Sequence, residues 1–75
     1  NAGQSLDMIR VYREKCIESR ASLRMAHTAA EEYGTAVDDQ KKVKFWELSI
    51  LYGELFYDAG LDWANKAIAV LEELK

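Results

Sequence analysis

Apolar residues in this chain recur at alternating steps of three and four over two long stretches, and no proline interrupts either. That spacing places successive apolar side chains on one side of an α-helix. The first stretch, from about Ser5 to Tyr33, runs through Ile9, Tyr12, Cys16, Ser19, Leu23, Ala26, Ala30 and Tyr33. The second runs through Val43, Trp46, Ile50, Gly53, Tyr57, Gly60, Ala64, Ala67, Leu71 and Leu74. The spacing predicts an all-α fold: one helix over about 5–33 and another over about 39–74, folded into an antiparallel hairpin. Ser5 stands where an N-cap belongs, with Asp7 in the first turn, and Gly34 where a glycine C-cap belongs. Residues 34–39 make the connection, with Asp38 or Asp39 capping the second helix. The register passes through Gly60 without slipping, which predicts one long helix, straight or kinked there, over a break with Asp62 as a new cap. Residues 1–4 are expected to be a disordered or tag-derived N-terminus, outside the predicted helical dimerisation domain of 5–75. Asn1-Ala2 reads as the remnant of a cleaved tag on a piece of something longer.

A chain of 75 residues makes one small domain. Folding at this size buries only about 60–65% of the open chain's surface, so disulfides, a metal or oligomerisation usually supplement the core. Cys16 is the only cysteine and His27 the only histidine, which leaves no internal disulfide and too few ligands for a His/Cys zinc site. Oligomerisation remains.

The second helix supplies a reason for it. Leu48, Leu51, Leu55, Ala59, Trp63 and Val70 form another apolar stripe on its far side, with Phe45, Tyr52 and Phe56 filling in. One hairpin partner covers one face only, so a further chain must cover the other. The expectation is a homodimer in a four-helix arrangement. Its interface is Leu48, Leu51, Tyr52, Leu55, Phe56, Ala59, Trp63 and Val70, with Gly53, Tyr57 and Leu71 in helix packing. Charge is split as well. Residues 1–30 balance at +2 and residues 31–75 at −5, so a basic and an acidic helix would attract each other or a copy.

No catalytic constellation emerges, and no enzyme activity, cofactor or metal is expected. Asp38-Asp39 diverge in direction and are explained by capping; His27 has no partners for a nucleophilic triad. Cys16 on the seam reads as a buried structural thiol, and a lone reduced cysteine fits a cytoplasmic protein. Lys41, Lys42 and Lys44 read as solvated surface. No apolar run approaches the roughly 18–20 residues of a membrane span, and no membrane partner is expected. Aromatics crowd into the second helix, first of all for packing. A candidate pocket for a planar effector between helices of a dimer would use Trp46, Tyr52, Phe56 and Trp63.

Leu48-Ser49-Ile50-Leu51-Tyr52-Gly53, then Tyr57, Trp63, Ala67-Ile68 and Leu71-Glu72, resembles the C-terminal helical domain of PadR-family transcriptional regulators. In that family an aliphatic run leads to a glycine, a tryptophan follows ten residues later, and a Leu-Glu pair stands eight and nine residues beyond. Gly53, Trp63, Leu71 and Glu72 meet those spacings, and Tyr12-Arg13 resembles the opening of the preceding helix. The specific part covers about thirty residues.

The resemblance implies an N-terminal winged-helix domain that contacts DNA, followed by a helical part that pairs across a twofold axis. It also implies phenolic or other aromatic effectors in some members. By the same carry-over Gly53 permits close helix approach and Trp63 anchors the interface. Gly60 departs from the pattern, and no winged helix lies within these residues. The alternative is a tetratricopeptide-like module, which Trp46, Gly53, Phe56 and Gly60 invite, or another helical interaction module unrelated to transcription. Asn65 stands where that repeat wants a small residue, and no second repeat is visible.

Overall fold

Two seams of matching period and no proline give two helices of equal length. The computed structural model describes residues 1–36 and 40–75 of the protein. Helix α1 spans Ala2–Ala36 and helix α2 spans Gln40–Leu74, and the two pack along each other as a hairpin. There is no strand among the described residues. The result is a rod of 56 × 14 × 13 Å with a radius of gyration of 16.9 Å. A globular domain of this length would have about 11 Å.

Helix α1 starts earlier than the Ser5 cap predicted. Asn1 caps it instead: its Oδ1 accepts from the Gln4 backbone N–H at 2.9 Å and its carbonyl from the Ser5 N–H at 3.0 Å. Gln4 returns the contact, its Oε1 accepting from the N-terminal ammonium at 3.3 Å. This is a capping box with asparagine and glutamine in the two roles. Residues 2–4, expected to be disordered or tag-derived, are helical. At the other end α1 continues through Gly34 to Ala36, so Gly34 is no C-cap. The expected caps Asp38 and Asp39 lie outside the described residues.

Helix α2 is unbroken through Gly60, and no described glycine has a positive φ. The glycine is there for space. A Cβ at Gly60 would stand 2.6 Å from Tyr12 Oη and 3.2 Å from Cys16 Sγ. Gly53 does the same service for Leu23, whose Cδ1 lies 2.8 Å from where a Cβ would be.

The seam these glycines permit is narrow. Leu6, Cys16, Ala30, Val43, Ile50 and Ala64 are its buried apolar residues. Cys16 is the buried thiol that the seam position predicts. Leu6 lies one step before the predicted seam and is fully buried. Other seam positions are more open than predicted: Tyr12, Tyr33 and Trp46 lie at its flanks, and Leu74 is exposed. Tyr33 meets Trp46 edge to face at 5.8 Å between ring centroids.

One flank carries the charge split as a ladder between the helices. Arg10 donates to Glu72, Arg13 to Asn65 at 3.4 Å, and Arg20 to Asp58 at 2.8 Å and Glu54 at 2.6 Å. His27 lies between Glu31 at 3.1 Å and Glu54 at 3.4 Å. Hydrogen bonding to Asp58 is the largest influence raising the Arg20 pKa above its ordinary value; Glu54 adds to it against some desolvation. The ladder fixes the antiparallel register in α1 and α2 alike.

Candidate functional site

Helix α2 is apolar on two sides, and α1 covers one. On the other side Phe45, Leu48, Tyr52, Leu55, Phe56, Ala59, Trp63 and Val70 are exposed, with Leu51 beside them. From Phe45 to Leu74 the stripe extends about 43 Å at 1.5 Å per residue. Tyr52 is 73% exposed, Phe45 71% and Trp63 56%. An aromatic side chain presents roughly 150–250 Å², so the stripe leaves on the order of 900 Å² of apolar surface in water. Monomeric proteins typically keep their largest such patch to about 300–600 Å².

The face is ordered by its own side chains. Tyr52 and Phe56 stack with centroids 6.5 Å apart and planes 22° from parallel, and Phe56 meets Tyr57 edge to face at 5.2 Å. Ser49, at the margin, turns its hydroxyl back to donate to the Phe45 carbonyl at 3.2 Å. That bond satisfies the hydroxyl within the helix. Lys66 interrupts the stripe and is held by Asp62 at 2.9 Å.

Trp63 is fixed from α1. The Tyr12 ring meets it edge to face at 5.9 Å, lying over Gly60. Hydrogen bonding between the Tyr12 phenol and the Cys16 thiol pushes the phenol's pKa up, with desolvation and the nearby Cys16 and Tyr57 adding to the effect. The flank of the seam thus supports one residue of the outward face.

Of the expected helix-packing residues, Gly53, Tyr57 and Leu71 are all half-buried. The expected effector set divides. Tyr52, Phe56 and Trp63 share the outward face, but Trp46 lies against Tyr33 and lines a groove of about 320 Å³ with Tyr33, Lys42 and Val43. Positions 46 and 56 are ten residues apart, so they sit roughly 80° apart around a helix of 3.6 residues per turn. A single hairpin does not bring the four together. A different groove, of about 440 Å³, opens at the start of α2 between Gln40, Lys41, Lys44, Phe45 and Leu48. Sequence reasoning passed over it because it treated the lysines and the apolar stripe separately.

Among the described residues no group of three or more His, Cys, Asp or Glu is placed to hold a metal ion. No described helix is long and apolar enough to cross a membrane.

The described residues form a two-helix rod whose second helix leaves one apolar face exposed. Residues 2–72 match the family described as virulence activator alpha C-term, and the chain belongs to that family. It is thus a helical domain of the regulatory kind found at the C-terminus of such an activator. No curated protein and no solved structure matches the chain significantly.

Proposed function

We propose that this chain is the dimerisation and effector-sensing domain of a PadR-like, cytoplasmic transcriptional regulator, whose DNA contacts are made by a winged-helix domain outside these residues. The observation that carries the reading is the outward apolar face of α2, too large and too aromatic to stand in water unpartnered. The family match over residues 2–72 and the spacing of Gly53, Trp63, Leu71 and Glu72 support the regulatory assignment. Two copies burying about 900 Å² each would reach the roughly 1,600 ± 400 Å² of a standard stable interface. An aromatic effector would lie against Tyr52, Phe56 and Trp63, where two such faces meet. The tetratricopeptide-like alternative finds no support in α2. Such a repeat is a helix–turn–helix, whereas Trp46, Gly53, Phe56 and Gly60 all lie on one unbroken helix.

Sedimentation equilibrium of the chain over a wide concentration range tests this. A dimer whose melting temperature rises with concentration is the expected result. A folded monomer at every concentration sinks the dimerisation reading.

A further inference from the structure

His27 is the only histidine in the chain, and the fold sets it between carboxylates from both helices. Its Nε2 stands 3.1 Å from Glu31 Oε1 on α1, and its Nδ1 stands 3.4 Å from Glu54 Oε1 on α2. A neutral imidazole carries one N–H and one lone pair, so one of these carboxylates would face a lone pair. Only the imidazolium offers an N–H to each. The two carboxylates are not equally free to leave. The Glu31 side chain is 66% exposed and can turn to water, whereas that of Glu54 is 15% exposed and its Oε2 is held by Arg20 at 2.6 Å. The other charged neighbours are already engaged. Lys44 and Glu47 of α2 line the same groove as His27 and Glu54, but they pair with each other at 3.7 Å. Arg20 is shared with Asp58 at 2.8 Å, and Arg24 stands three residues before His27 on α1.

We propose that His27 is a proton-operated clamp between the helices: protonated, it ties Glu31 and Glu54 together in the turn-side half of the hairpin, and on losing its proton it releases Glu31 and loosens that half. The clamp lies within one chain and does not depend on how copies associate. Its sign follows from linkage. A proton held more tightly by the folded chain than by the open one stabilises the fold at low pH, and that contribution is lost as pH rises. Histidine changes charge between about pH 5 and 8, so the turn-side half is tightest at the acid end of that range. Carboxyl groups ordinarily titrate at about pH 4, so the acids around the ring keep their charge across most of it.

Thermal melting at the two ends of the range, about pH 5.5 and about pH 8, tests the clamp at one fixed chain concentration. The unsubstituted chain is expected to melt about 4 °C higher at the acid end, the order of one partly exposed charge pair in a domain of this size. His27→Gln should lose most of that difference and Glu31→Gln about half of it. Both variants keep the N-terminal amine, which is the other group that ordinarily titrates in this range. An acid-side gain that persists undiminished in His27→Gln overturns the proposal, as does an unsubstituted chain that melts lower at the acid end. Amide hydrogen exchange on the unsubstituted chain gives a second readout that needs no variant to fold. Once intrinsic exchange rates are divided out, protection around His27 and Glu54 should fall between the two pH values while that around Arg10 and Glu72 holds. An equal change in both halves of the rod, or none in either, sinks the clamp.

Discussion

The side of α2 turned to α1 sets Gly53, Gly60, Ala64 and Ala67 among larger residues such as Val43, Ile50 and Tyr57, whereas the opposite side carries Leu48, Tyr52, Leu55, Phe56 and Trp63. Small residues inside let the helices close on each other at the expense of buried apolar area. Large residues outside leave that area uncovered. The chain exposes 5702 Å², against about 4,700 Å² for a globular monomer of its mass. Within one chain the hairpin is held by this thin seam and the charge ladder; in the proposed dimer the outer face would add the buried area that a core normally supplies.

The two faces can be separated by substitution. Trp63→Ala should have the largest effect, about 3–5 kcal/mol, appearing in sedimentation as lost association together with a lower melting temperature. Unchanged association and folding would mean that the chains do not meet there. Ile50→Ala, on the inward side, should cost about 2–3 kcal/mol in denaturant unfolding. That is the lower part of the usual range, because a two-helix seam can close around the loss.

The glycines sharpen the contrast. Gly60→Ala gains about 1 kcal/mol of helix propensity but drives a methyl against the Tyr12 phenol, and overpacking of this kind costs about 1–3 kcal/mol. A net loss of about 1 kcal/mol is expected, relieved by pairing it with Tyr12→Leu. Gly53→Ala meets only the mobile end of Leu23 and should be close to neutral, so equal effects at the two sites would contradict the packing described. Asn1→Ala should cost about 1 kcal/mol through the lost cap, read as fraying of α1 by circular dichroism.

The smallest effect is on pH dependence. The folded-state pKa of Tyr12 is raised above 10.0, so its contribution is complete below about pH 10 and is lost as pH rises through the folded value. Tyr12→Phe should flatten that part of the alkaline unfolding profile.

Much of this arrangement is legible in the residues, because a three-four seam is a direct consequence of helix geometry. The continuity of α2 through Gly60 follows from register, and the two-sided character of α2 follows from counting stripes. Where the helices begin and end was less accessible. Ser5 and Gly34 are good caps by residue type, yet the Asn1–Gln4 box extends α1 backwards and the helix simply continues through Gly34. Leu6 escaped notice for the same reason, although it stands three residues before Ile9. The charge split indicated attraction, but only the antiparallel register selects Arg20 for Asp58 and Glu54. Trp46 belongs by spacing to the seam and by type to the candidate effector set; within one chain it lies against Tyr33 at the seam flank.

Arg10 and Glu72 touch, so the start of α1 and the end of α2 lie at the same tip of the rod. In the proposed dimer the rod would act as a ruler. If two such rods paired antiparallel along α2, the position of the crossing would set the distance between their open tips. Sliding the crossing by one heptad would change that distance by about 21 Å, seven residues at 1.5 Å each counted on both rods. Whatever is attached at the open tips would then be spaced by the register of α2.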